Sequence, residues 1–148
     1  MSGKGSTFAY EVLRLNLNAI ARVGAWGSSG ATDLFVRLHT SDPSTETAGT
    51  AEVAYTGYAA VVTTRSSAAG GWAISTPTSA NATASPTSAI TFGQMTAGST
   101  GTITHFSLST SSNSTGAPLW YSGTVTPNIN YTVGVTPILT TTSSITED

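Results

Sequence analysis

A chain of 148 residues, 39% of them apolar, is long enough for one domain with a substantial core that needs no covalent staple. It contains no cysteine, which excludes disulfides, thiolate catalysis and cysteine-based zinc sites. Five basic and seven acidic residues leave a net charge of −2 and exclude the cationic surface a nucleic-acid footprint requires.

Charged residues make up only 8% of the chain, against about 25% in typical soluble domains. A surface so poor in charge, and rich in Ser and Thr, suits lateral contact between proteins. Stability is expected to come from packing and from assembly.

Residues 1–6 read as a short polar arm carrying Lys4. No signal-type apolar run follows it, and no stretch approaches the roughly 20 apolar residues of a membrane span. The expectation is therefore cytoplasmic synthesis, without a secretion signal or a membrane partner. The Gly3-Lys4-Gly5-Ser6-Thr7 stretch lacks the spacing and the preceding strand of a phosphate loop.

Residues 7–22 carry two patterns. Phe8, Val12, Leu15 and Ala19 fit one helical stripe, with Leu13, Leu17 and Ile20 on its neighbour, and Ser6 or Thr7 can cap the first turn. Leu13, Leu15 and Leu17 also alternate as a strand would. Length and Gly24 as a stop favour the helix. A glycine-rich loop, 25–31, then holds Trp26 as its one large side chain.

The clearest strand is Thr32 to Thr40. Leu34, Val36 and Leu38 fall on one face, the expected core face, and Phe35, Arg37 and His39 on the other. Ser41-Asp42-Pro43 turns the chain. Val53, Tyr55, Val61 and Val62 continue the β-type composition, with Gly57 placed for a bulge or a close backbone approach.

Trp72 to Ile74 is a short strand with Trp72 and Ile74 on one face. Residues 76–87 read as a loop or an extended edge, because two prolines argue against a central strand. Ala89 to Phe92 and Thr102 to Leu108 are further strands. Residues 119–125 and 129–135 read as a strand pair separated by Thr126-Pro127-Asn128, and a last strand lies near 137–142. Seven or eight short strands at this spacing, with no fixed repeat, predict an antiparallel β-sandwich, jelly-roll-like or immunoglobulin-like, with one N-terminal helix. The domain reading is an arm, 1–6, and a single domain, 7–148, that includes the helix.

No residue set announces catalysis. His39 and His105 are the two imidazoles, and Asp42 follows His39 by three residues, but a third ligand is not evident, so no metal or cofactor is expected. No G-x-S-x-G elbow occurs, and the carboxylates are scattered rather than paired. The matches to the glycosylation pattern at Asn81, Asn113 and Asn130 are read as polar loop or strand positions. Trp26, Trp72 and Trp120 are read as core or interface anchors.

The run L-F-V-R-L-H-T-S-D-P, followed by A-E-V-A-Y-T-G-Y-A-A-V, a W-A-I strand and A-I-T-F-G-Q-M-T-A-G-S-T-G-T-I-T-H-F-S-L-S-T, resembles a family of small tailed-bacteriophage virion proteins. The resemblance covers most of the chain and implies a virion structural role with no enzymatic activity and no cofactor. That family often has an arginine after G-Y-x, where this chain has Ala60.

Within such a role, a compact β-domain with little charge and a polar arm leads first to a capsid decoration (cement) protein. It would bind the head exterior, with the major capsid protein as partner, and act through many modest interfaces. A homo-oligomer, trimer or dimer, would suit local symmetry axes. The alternative is a tail or fiber-associated module using its Ser/Thr/Gly loops for adhesion. Interface candidates are Lys4, Trp26, Asp42 and Pro43, chosen as exposed groups.

Overall fold

The computed structural model describes residues 12–14, 16–18, 33–43, 51–75, 82–113 and 119–147. Residues 12–14 and 16–18 are helical, and nine strands follow. They are β1 (Asp33–His39), β2 (Val61–Thr64), β3 (Trp72–Ile74), β4 (Ala82–Pro86), β5 (Ile90–Thr91), β6 (Gly101–Ser109), β7 (Leu119–Tyr131), β8 (Ile138–Leu139) and β9 (Ile145–Glu147). The fold is mainly β, with antiparallel sheets and one short N-terminal helix, the expected class.

The strands form a four-stranded sheet in the order β2-β1-β6-β7, a three-stranded sheet β3-β4-β9 and a two-stranded sheet β5-β8. The chain divides into two compact units: residues 1–33, 63–89 and 139–148, and residues 34–62 and 90–138.

In the second unit, β1 and β6 pair antiparallel, with Val36 opposite Leu108 and Leu38 opposite Phe106. These four side chains are buried together with Leu34, so the expected core face is the core face. The other face of β1 is buried as well: Arg37 is 1% exposed and His39 0%. Alternation assigns side chains to faces, but a strand covered on both sides buries both. Here Ser107 lies opposite Arg37 and His105 opposite His39, so the second face is polar.

Residues 119–131 do not form a hairpin. They are one strand, β7, paired with β6 from Leu119 to Tyr131. Ile103 faces Ile129 and His105 faces Thr124, so the segment around Pro127 is an irregularity opposite Thr104 rather than a turn. The continuous partner strand outweighs the local turn signal of Thr126-Pro127-Asn128. Similarly, 51–60 holds isolated bridges instead of a regular strand, and regular pairing resumes at Val61.

In the first unit, Leu13 and Leu17 are fully buried, and four-residue spacing places them on one helical face. The helical reading thus wins over the strand reading at the described positions, while Phe8, Ala19, Ile20, Gly24 and Trp26 lie outside the described residues. The Arg65 Nε donates to the Asn16 carbonyl at 2.6 Å, and the buried Trp72 Nε1 donates to Thr63 Oγ1 at 3.2 Å.

Against the sequence expectation, Pro86 belongs to a strand with a neighbour on each side, β4. The proline fits because Trp72, opposite it, directs its N–H away to the Ser66 carbonyl, so that position of the β3 ladder needs no donor. Pairing with β9 runs only from Ala82 to Ala84. The missing N–H therefore falls where neither neighbour requires it. Strand β9 itself, with Ile145 buried opposite Ala84, is not evident in the polar, acidic C-terminal stretch.

Candidate functional site

Beyond β1 the chain returns along that strand on the side away from β6. Thr40 N donates to the Ala51 carbonyl at 2.9 Å and Val53 N to the Leu38 carbonyl at 3.0 Å, with Glu52 bridged to His39. This places the Glu52 carboxylate beside the Arg37 guanidinium, with Nε 3.3 Å from Oε1 and side-chain exposures of 1% for Arg37 and 14% for Glu52.

Arg37 is held on its other nitrogens. One terminal nitrogen donates to Ser109 Oγ, and the other donates to the carbonyls of Ser111 at 2.9 Å and Ser112 at 3.0 Å. Its Nε meets Glu52 as a charge, without hydrogen-bond geometry, and makes no hydrogen bond among the described residues. The guanidinium also lies 5.8 Å from the centroid of the Phe35 ring.

The Tyr58 hydroxyl completes the arrangement by accepting from Leu38 N at 3.0 Å and donating to Glu52 Oε1 at 3.0 Å. A side chain thereby satisfies a strand amide that has no ladder partner. Burial pushes the Glu52 carboxyl above its ordinary range, offset in part by the Tyr58 hydrogen bond and the Arg37 charge. Burial likewise raises the Tyr58 and Tyr55 hydroxyls, with the nearby Tyr131 adding to the effect at Tyr55.

Aromatic packing and two glycines hold the 53–60 segment. Tyr55 meets Tyr58 and Tyr131 with ring centroids 5.4 Å apart in each case, and Tyr58 stacks on Phe92 at 6.1 Å and 6°. The Tyr55 hydroxyl donates to the Gly93 carbonyl at 2.7 Å. Gly57, at φ +101°, lies so close to residue 94 that a Cβ would fall 2.2 Å from the Gln94 carbonyl oxygen. A Cβ on Gly93 would fall 1.8 Å from the Gly57 carbonyl oxygen. The close approach expected at Gly57 is present, and Gly93 is its counterpart.

These residues border an open cleft of about 780 Å³, lined by Arg37 and Glu52, by residues 53–56 and 58–60, and by Gly98 and Ser112. The interface candidates do not meet there. Lys4 and Trp26 lie outside the described residues. Asp42 is exposed, whereas Pro43 is fully buried and so does not present the exposed surface expected of it. Trp72 is buried, and Trp120 is 37% exposed.

The two histidines face each other across β1 and β6, with His39 Nε2 2.7 Å from Ser107 Oγ and His105 Nδ1 2.8 Å from Thr104 Oγ1. Among the described residues no group of three His, Cys, Asp or Glu comes together to hold a metal ion.

Reading by alternation put Arg37 on the face away from the core and left Glu52 among scattered carboxylates. The available signal was the charged residue inside an otherwise apolar strand, together with E-V-x-Y-x-G-Y. Both motifs of the resemblance, L-H-T-x-D-P and E-V-x-Y-x-G-Y, prove to be neighbours in space.

The family described as Podophage GP4 fiber I protein gp80 matches residues 14–145. The chain belongs to the gp80 family. Every residue lining the cleft lies within the matched span. Membership makes the chain a member of a tailed-phage virion structural family, as the resemblance implied, and relates it to fiber proteins. Ala60, where the resemblance leads one to expect arginine, is a half-buried wall of the cleft. No curated protein matches the chain.

Proposed function

We propose that this gp80-family chain is a non-enzymatic structural module of a podophage fiber, or of the tail part that carries one, packed against further copies of itself and neighbouring virion proteins. The observation that carries this reading is the family match over residues 14–145, whose description names a fiber. That description favours a fiber position over capsid decoration on the head exterior, where composition alone led, and over the major capsid protein as partner.

Charge distribution supports dense packing. From Ser66 to Thr146 the chain holds no Asp, Glu, Lys or Arg. Surfaces without like charges can be brought together repeatedly at no electrostatic cost. The largely buried Arg37–Glu52–Tyr58 arrangement pairs its charges internally, with only the Glu52 carboxylate partly open to solvent.

Quantitative mass spectrometry of purified virions, combined with gold-labelled antibody microscopy, tests the assignment. A copy number far below that of the major capsid protein, with label at the tail or fibers, is the expected result. A copy number matching the capsid subunits one for one or as a simple fraction, with label over the head, would replace it with decoration.

A further inference from the structure

The cleft beside Glu52 has the chemistry of a ligand site. Oε1 of Glu52 is engaged by the Tyr58 hydroxyl and faces Arg37, while Oε2 makes no hydrogen bond to the described residues. Glu52 lines the cleft, so this oxygen is an acceptor available to a bound hydroxyl.

Charge narrows the choice of ligand. Arg37 cancels Glu52, so a cation brought to Oε2 also meets the guanidinium, and an anion meets the carboxylate. A neutral hydrogen-bond donor avoids both penalties.

The walls narrow it further. Ala54 and Ala59 are exposed, Ala60 and Tyr58 are half-buried, and Gly98 adds no side chain, leaving low walls in which polar and apolar surface are mixed. Exposed Thr56 contributes a hydroxyl. A volume of about 780 Å³ falls within the common size of ligand clefts. Apolar C–H surface alternating with hydroxyls is the chemistry of a sugar ring.

We propose that the cleft formed by Glu52, Thr56, Tyr58 and Ala60 binds a neutral saccharide, with Glu52 Oε2 accepting from its hydroxyls. The inference does not depend on where the chain sits on the particle.

Saturation-transfer NMR on the full chain tests it. The probes are neutral hexoses, N-acetylhexosamines and their disaccharides, with arginine amide and a uronic acid as charged controls. At least one neutral saccharide is expected to bind, and E52Q is expected to weaken it. A60R, which places a long side chain in the cleft without removing a contact, is expected to weaken it at least tenfold. A59W, at an exposed wall, gives the same test should A60R fail to fold. Binding of none of the neutral saccharides, binding of the charged controls alone, or undiminished binding by the folded wall variant would each overturn the proposal. Saccharide binding that depends on the cleft, in a chain located on the head, would keep the site and reject the fiber assignment.

Discussion

Arg37 and Glu52 stand 3.3 Å apart, Nε to Oε1, on adjacent segments that pair through the Leu38 and Val53 backbones. The two are not equivalent in the fold. Glu52 retains some access to solvent and can take up a proton, whereas Arg37 is only 1% exposed.

Removal of the acidic partner therefore leaves a buried, partly compensated cation. Glu52→Ala is expected to cost about 3 kcal/mol, the lower end for breaking a buried ion pair, because the Ser109, Ser111 and Ser112 oxygens still hold the guanidinium. Urea denaturation of the variant and the parent chain measures the difference. A loss below about 1 kcal/mol would place the pair among exposed ones.

Glu52 also predicts a pH dependence. Its folded-state affinity for a proton is raised by burial above that of an ordinary glutamate, so the folded chain binds more protons than the unfolded chain between the two pKa values. The resulting stability is fully present below the unfolded value of 4.5 and is lost as pH rises through the folded value. Relative to E52Q, the parent chain should lose stability over that interval. Melting temperatures of both across acidic to neutral pH provide the check, and parallel curves would contradict the assignment.

Tyrosine ionisation is a second titration. Burial holds the Tyr58 and Tyr55 hydroxyls above the ordinary value of 10.0. Their contribution to stability is present below 10.0 and is lost as pH rises through the folded values. In an ultraviolet titration, Tyr58 should ionise only as the chain unfolds in alkali, and Tyr55 above its ordinary value. Tyr58→Phe should leave the Leu38 amide and a Glu52 oxygen without their bonds and cost about 2 kcal/mol.

The Gly57 and Gly93 backbones permit no side chain between them. Gly57→Ala combines a left-handed φ with a 2.2 Å overlap onto Gln94, and is expected to cost about 3 kcal/mol or more. Gly70→Ala, at φ +80° with open space around its Cβ, carries the backbone strain alone and should cost about 1 kcal/mol. Thermal unfolding of both variants separates the two contributions, and equal losses would show that the overlap relaxes.

Much of the β-architecture was legible in local pattern. Leu34, Val36 and Leu38 marked a strand and its core face, and Leu13 with Leu17 marked a helical face. Gly57 marked a close approach. Residues 119–135 were misread because Thr126-Pro127-Asn128 carries a turn signal, while the opposing strand β6 is distant in sequence. Pro86 was misread because the cost of a missing N–H depends on which neighbour requires it.

Local pattern alone set the mainly β class, the presence of an N-terminal helix and the scarcity of charge, since composition and side-chain period are local properties. Only the tertiary structure decided that Arg37, Glu52 and Tyr58 meet, that Pro43 is buried, and that Ala60 lines a cleft. Those outcomes depend on which segments the backbone ladders bring together, and period-2 alternation assigns a side chain to a face without naming what lies against it.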